Sequence, residues 1–175
     1  MSDGKITSNS VNGVQNAGTF KLSGGSVTDN TENGIYNAAG GTVTQTGGTI
    51  SGNGVGVYQK GTYNMGKAAA VQKGNVVYLA AGKVINVNAK LTTASGILAY
   101  IKLADYSLGR KVVTVTYSAD ASDVLYYDKS TESKRFALDK NDYYSLLRPG
   151  DYMDGRSLES SAAGITDKDI CISET

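Results

Sequence analysis

The chain has 175 residues, with 22 Gly, 12 Tyr, one Cys, one Pro and no His or Trp. The lack of His excludes imidazole catalysis and His-ligated metals, and a single Cys excludes an internal disulfide, a thiolate zinc site and an iron–sulfur cluster. Seventeen basic and sixteen acidic residues give a net charge of +1, which argues against binding to nucleic acid or to an anionic membrane.

The chain changes in character near residue 100. Residues 1–100 hold 18 of the 22 Gly and carry seven Lys against three acids, whereas residues 101–175 carry ten basic and thirteen acidic residues. We therefore predict two regions. Residues 1–100 form repeats, and residues 101–175 form terminal rungs and a capping region.

Three short strings recur in the same order along residues 1–100, and each places one apolar residue at a fixed position. The first string is Gly, an apolar residue and usually Tyr; the second begins Gly-Thr; the third precedes a turn that contains Asn. The columns are Val14, Ile35, Val57, Val77 and Ile97; Phe20, Val43, Tyr63 and Val84; and Ile6, Val27, Ile50, Val71 and Leu91. Their members lie 20 to 23 residues apart, so all three columns share one repeat length of about 21 residues.

Each repeat holds three short β-type runs bounded by Gly, Asn or Asp, and it lacks the 3.6-residue spacing of a helix. Leucine-rich repeats share this length but need several Leu, and Leu22 is nearly alone. Three strands joined by turns make one triangular rung, and stacked rungs pair equivalent strands in parallel. We predict an all-β parallel β-helix (β-solenoid) of about 21 residues and three strands per rung, with a C-terminal β-rich cap.

Two kinds of turn repeat at the corners of the predicted rungs. An Asn follows the third column in four repeats, at Asn9, Asn30, Asn53 and Asn75. Asn tolerates a left-handed backbone, and its stacked amide can bond to the rungs above and below, so we predict an asparagine ladder. Gly24-Gly25 and Gly47-Gly48 mark a second turn, where a Cβ atom would obstruct the bend.

The string GGTVTQTGGTISGNGVGVYQ, at residues 40–59, resembles the repeat of large bacterial surface proteins called adhesin-like. Those proteins are right-handed parallel β-helices of the pectin-lyase-like class, and the resemblance covers about residues 4–100. It implies a bacterial cell-surface or secreted location, with signal and anchor outside this chain. It also implies host or microbial glycans or surface proteins as partners, without naming a ligand. Gln15 in place of Tyr, and residues 67–70 in place of Gly-Gly, depart from the pattern.

The region beyond residue 100 is predicted to close one end of the coil. A strand is expected at residues 112–117, with weaker ones at 126–127, 136–138 and 170–172. Four apolar residues are expected to cover the open end: Leu125, Phe136, Leu146 and Leu147. Met1 directly precedes a rung-like sequence, so we expect a longer parent protein and an exposed edge that favours end-to-end self-association. The longest apolar run, residues 76–81, predicts no membrane insertion.

The pectin-lyase-like class includes polysaccharide lyases and glycoside hydrolases, so an enzyme is one alternative. Hydrolysis needs two carboxylates in a cleft, and the repeats hold only Asp3, Asp29 and Glu32. The acid-rich turns at residues 139–142 and 151–155 lack the spacing of a calcium loop. We therefore predict no catalytic residues, no metal site and no cofactor.

The candidate binding surface is a row of tyrosines. If the first column faces inward, Tyr36, Tyr58 and Tyr78 face outward and stack rung upon rung. Two interpretations stay open: a self-stabilising ladder, or a surface that binds sugar rings. Thr19, Thr42 and Thr62 are expected to form another outward row by cross-strand stacking.

The function predicted from the sequence is a non-enzymatic structural or adhesive module that acts as a rigid display scaffold. The first alternative is a carbohydrate-binding module that uses the three tyrosines. The second is a polysaccharide lyase or glycoside hydrolase of the β-helix class.

Overall fold

A computed structural model describes residues 1–71, 75–92, 100–104, 111–115, 138–139 and 145–146. Within these ranges the chain forms sixteen β-strands and no helix. The strands are β1 (Lys5–Thr7), β2 (Asn12–Asn16), β3 (Thr19–Leu22), β4 (Ser26–Thr28), β5 (Asn33–Asn37), β6 (Thr42–Gln45), β7 (Thr49–Ser51), β8 (Val55–Gln59), β9 (Thr62–Lys67), β10 (Ala70–Val71), β11 (Val76–Leu79), β12 (Ile85–Leu91), β13 (Tyr100–Leu103), β14 (Val113–Val115), β15 (Leu138–Asp139) and β16 (Ser145–Leu146).

Three parallel sheets run along the stack of rungs. Sheet A contains β1, β4, β7 and β10; sheet B contains β2, β5, β8, β11 and β13; sheet C contains β3, β6, β9, β12 and β14. Consecutive strands of the first rungs therefore enter different sheets, and each strand pairs with its equivalent in the next rung. The chain is an all-β solenoid of stacked parallel coils, as predicted. A separate pair, β15 and β16, is antiparallel.

The predicted apolar columns are confirmed for the first rungs. Sheet B pairs Val14, Ile35, Val57 and Val77 in register; sheet C pairs Phe20, Val43 and Tyr63; sheet A pairs Ile6, Val27, Ile50 and Val71. Every member beyond the first rung is fully buried. Burial of one such apolar side chain stabilises the fold by about 1.5–3 kcal/mol. Because a single rung cannot cover its own apolar side chains, this burial between rungs is the main source of stability.

Two column members beyond the fourth rung were predicted wrongly. Val77 pairs with Ile101 rather than Ile97, because the repeat from Val77 to its partner is longer than the earlier repeats of this column. Leu91 does not continue the column of sheet A, since it pairs with Lys67 of β9 in sheet C after a register shift. Strand β12 extends over seven residues and so reaches past the position where a short strand would end.

The last member predicted for the column of sheet C, Val84, is also wrong. Tyr63 pairs with Ile85, which is fully buried, whereas Val84 is half-buried and precedes β12. The turn before β12 holds Gly82 with a φ of +69°. This turn places the inward position one residue later than the spacing predicted.

A buried polar pair lies within the apolar core. The Tyr63 hydroxyl donates to Oε1 of Gln45 at 2.5 Å, and Nε2 of Gln45 donates to the Ala70 carbonyl at 2.9 Å. Both side chains are fully buried, and burial raises the pKa of Tyr63. These hydrogen bonds offset the cost of desolvating a phenol and an amide.

The region after residue 100 is described only in part. Strands β13 and β14 pair with β11 and β12, and the predicted strand at residues 112–117 is observed as Val113–Val115. Within the predicted strand at 136–138 the structure describes only residue 138, in β15. Several predictions lie outside the described residues: the strands at 126–127 and 170–172, the capping residues Leu125, Phe136 and Leu147, and the turn at 151–155. The domain boundary at residue 100 stays a prediction.

Candidate functional site

The predicted asparagine ladder occupies the corner between sheets A and B. Nδ2 of Asn9 donates to Oδ1 of Asn30 at 2.7 Å, Asn30 donates to Asn53 at 2.8 Å, and Asn53 donates to Asn75 at 2.9 Å. The same oxygens accept the backbone N–H groups of Asn9, Asn30 and Asn53. The ladder therefore ties four rungs together, and the prediction is confirmed. Its members Asn30, Asn53 and Asn75 are buried, whereas Asn9 at its end is exposed.

The backbone at this corner differs from the prediction. The left-handed residue is the one before Asn9, Asn30 and Asn53: Ser8 at φ 58°, Asp29 at φ 57° and Gly52 at φ 66°. In the described part of the chain no Asn has a positive φ. Asn is used here for its side-chain amide, and the bend itself falls on the preceding residue.

A second amide ladder was not predicted from the sequence. Nδ2 of Asn16 donates to Oδ1 of Asn37 at 2.8 Å, and Nδ2 of Asn37 donates to Oε1 of Gln59 at 2.8 Å. These residues lie two positions after Val14, Ile35 and Val57, a constant spacing that could have identified them. Nε2 of Gln59 is buried and has no hydrogen-bond partner in the described part of the chain.

The three predicted tyrosines come together in one row on the outside of sheet B. Tyr36, Tyr58 and Tyr78 are register partners on β5, β8 and β11, and all three are half-buried. The ring centroids of Tyr36 and Tyr58 are 5.4 Å apart with an interplanar angle of 23°, and those of Tyr58 and Tyr78 are 4.6 Å apart at 28°. We call these residues the tyrosine row.

Stacking decides which ring surfaces the tyrosine row offers. Both faces of Tyr58 lie against neighbouring rings, so Tyr58 presents its edge and hydroxyl. Tyr36 and Tyr78 each keep one face away from Tyr58. The register partner beyond Tyr36 is Gln15, and the partner beyond Tyr78 is Lys102. Stacking therefore leaves neither face of Tyr58 for a sugar ring, and the outer faces of Tyr36 and Tyr78 lie beside Gln15 and Lys102.

Lys60 adds a positive charge to the tyrosine row, and this contact was not predicted from the sequence. Its Nζ donates to the Tyr36 hydroxyl at 3.0 Å and lies 5.4 Å from the centroids of both Tyr36 and Tyr58. The hydrogen bond to Tyr36 is the largest cause that raises the pKa of Lys60 above 10.5. The available signal was spacing, since Lys60 lies two residues after Tyr58 and can extend to the same side of the chain.

Within its strands, sheet B carries charge of one sign, although Glu32 directly precedes β5. The strands of sheet B contain no Asp or Glu, and Lys102 is their charged member. Of the acids in the described repeats, Asp29 lies 3.9 Å from Lys5. Both of those side chains are more than half exposed, so this ion pair contributes little to stability.

Within the described ranges no three His, Cys, Asp or Glu side chains lie close enough to hold a metal ion. No described helix is long and apolar enough to cross a membrane.

Comparison with known proteins gives no match to a protein-family model, to a curated protein or to a solved structure.

Proposed function

We propose that this chain is a non-enzymatic module of a bacterial surface or secreted protein and acts as a rigid scaffold that displays side chains in rows. The observation that carries this proposal is the in-register pairing of three parallel sheets, which repeats one outward position on every rung. The resemblance of residues 40–59 to adhesin-like repeats supplies the expected location.

Rigidity follows from the way the rungs are joined. Each of the first rungs bonds to the next along three sheets, and two buried amide ladders add side-chain bonds between the same rungs. A ligand that spans several rungs would meet groups already held in place, so it would lose little free energy to ordering the protein. A stiff, repetitive surface suits adhesion through many weak contacts.

The adhesive role can be tested with beads that carry the full chain. We expect these beads to be retained under flow on surfaces coated with glycans or with extracellular proteins. Beads carrying Val57→Asp, which disrupts the stack, should be released. Equal release of both bead types from every surface would contradict an adhesive role. Sustained formation of new reducing ends on a panel of polysaccharides, with or without calcium, would favour an enzyme instead.

Carbohydrate binding by the tyrosine row is the second candidate, and Lys60 favours it. Tyr58 and Tyr78 offer hydroxyls for sugar hydroxyls, and the ammonium group of Lys60 suits a sugar acid. We expect Lys60→Gln to weaken binding of an acidic polysaccharide by about tenfold. Lys21→Gln makes the same change of charge on sheet C and should have little effect. Equal losses in both variants would indicate unspecific attraction of charge.

The edge strands β1, β2 and β3 support a further part of the proposal, end-to-end association with a second copy. Val11 lies at this end and is 49% exposed, and Oδ1 of Asn9 accepts no hydrogen bond within the described residues. Sedimentation velocity should show mass rising with concentration, and Val11→Lys should reduce it. Monomers at all concentrations would contradict this association.

A further inference from the structure

We infer that the tyrosine row is a site of oxidative cross-linking, in which Tyr58 and Tyr78 couple to form dityrosine and join two successive rungs covalently. The reaction requires a one-electron oxidant, and a haem peroxidase with hydrogen peroxide is a suitable one. The cross-link requires no ligand on the tyrosine row.

Proximity is the first argument. The centroids of Tyr58 and Tyr78 are 4.6 Å apart with an interplanar angle of 28°, and parallel pairing of β8 and β11 holds the two residues in register. A radical formed on either ring therefore has the other ring as its nearest aromatic neighbour on this strand pair. Coupling within the molecule avoids the loss of translational freedom that coupling between molecules carries.

Access is the second argument. Tyr58 and Tyr78 are half-buried on the outside of sheet B, with no hydrogen bond to either hydroxyl in the described part of the chain. Electrons and protons can leave from such phenols, and the rings can tilt to bring their ortho carbons together. Tyr63 gives the contrast, because it is fully buried and donates to Gln45.

The reaction balances as a two-electron oxidation. Each phenol gives up one electron and its hydroxyl proton and becomes a phenoxyl radical. The two radicals form a carbon–carbon bond between ortho positions, and the proton lost from each ortho carbon is replaced by one on each oxygen. The peroxidase passes two electrons to hydrogen peroxide, which takes up two protons and becomes two water molecules. The protein loses two hydrogen atoms.

The two pairs in the row are not equivalent. The centroids of Tyr36 and Tyr58 are 5.4 Å apart, and the Tyr36 hydroxyl accepts a hydrogen bond from the ammonium group of Lys60. This bond withdraws electron density from the phenol oxygen and disfavours oxidation of Tyr36. We therefore expect the cross-link between Tyr58 and Tyr78 to predominate.

The test treats the full chain with the peroxidase and peroxide and then examines monomer separated from oligomers. Trypsin gives peptide 22–60, which holds Tyr36 and Tyr58, and peptide 74–83, which holds Tyr78. We expect these two peptides to be joined with the loss of two hydrogen atoms. The two peptides should still be joined in Tyr36→Phe, and because Tyr58 is then the only tyrosine in peptide 22–60, this result would place the cross-link on Tyr58. The cross-linked monomer should melt roughly 5 °C or more above the untreated chain, since a covalent loop constrains the unfolded state.

Tyr58→Phe is the decisive variant, because it keeps the stack but removes both neighbouring pairs. We expect it to lose the dityrosine fluorescence of the monomer fraction. The same yield in Tyr58→Phe as in the parent chain would overturn the proposal. Dityrosine found only between molecules would overturn it as well.

Discussion

A Cβ atom placed on Gly34 would lie 2.7 Å from Nδ2 of Asn53 and 2.8 Å from the carbonyl oxygen of Gly56. Gly34 opens the string Gly-Ile-Tyr, and Asn53 belongs to the asparagine ladder. The first string therefore requires Gly at this position, because any larger residue would displace the amide of the ladder Asn that follows the third string. Gly13 repeats the relationship with Asn30, also at 2.7 Å.

Replacing Gly34 with Ala should destabilise the chain by about 1–3 kcal/mol, because the added methyl group overlaps a buried amide and a backbone oxygen. Denaturation by guanidinium, followed by circular dichroism, measures the loss. Gly18→Ala is the matched control, since a Cβ atom at Gly18 has no neighbour within 4 Å. Equal effects of the two substitutions would show that the contact is unimportant.

Asn53→Ala should cost about 2–4 kcal/mol, because it leaves polar groups of neighbouring rungs buried without partners. Oδ1 of Asn53 accepts from both Nδ2 and the backbone N–H of Asn30, and Nδ2 of Asn53 donates to the Val27 carbonyl. The control is Asn9→Ala at the exposed end of the ladder, where we expect less than about 1 kcal/mol. Unfolding of the two variants at the same denaturant concentration would contradict a stabilising role of the ladder amide of Asn53.

Val57→Asp should unfold several rungs together. Val57 is fully buried between Ile35 and Val77, so an unpaired carboxylate would enter the middle of the stack. Hydrogen exchange followed by mass spectrometry should show loss of protection in β5, β8 and β11 at once. Thr62→Asp, at an exposed position of β9, should leave protection intact. A loss confined to β8 would contradict cooperative stacking.

How far the fold could be predicted depends on where the repeat stays regular. The inward columns, the asparagine ladder and the tyrosine row repeat at nearly constant spacing, and the structure places them together. Ile97, Val84 and Leu91 were assigned by extending that spacing past the fourth rung, where a longer strand and longer connections change the register. Lys60 has no equivalent in other rungs, so no repeat could identify it. Its position depends on the reach of one flexible side chain.

The pKa of Lys60 should fall towards 10.5 in Tyr36→Phe, because that variant removes the oxygen that accepts from Nζ. Titration of the Lys60 side chain by nuclear magnetic resonance measures it. Since the folded pKa is raised, the stabilisation is fully present below the unfolded pKa and is lost as the pH rises through the folded pKa. An unchanged Lys60 titration in Tyr36→Phe would rule out the hydrogen bond.

The most direct test of the parallel, in-register stack uses disulfides between outward positions of sheet C. Thr19, Thr42 and Thr62 are successive register partners. With Cys171→Ser as background, Thr42→Cys with Thr62→Cys places two thiols on adjacent strands about 4.8 Å apart. Thr19→Cys with Thr62→Cys places them two strands apart, about 9.6 Å and beyond disulfide reach. The account predicts rapid oxidation of the first pair alone. Equal oxidation of both pairs, or of neither, would contradict it.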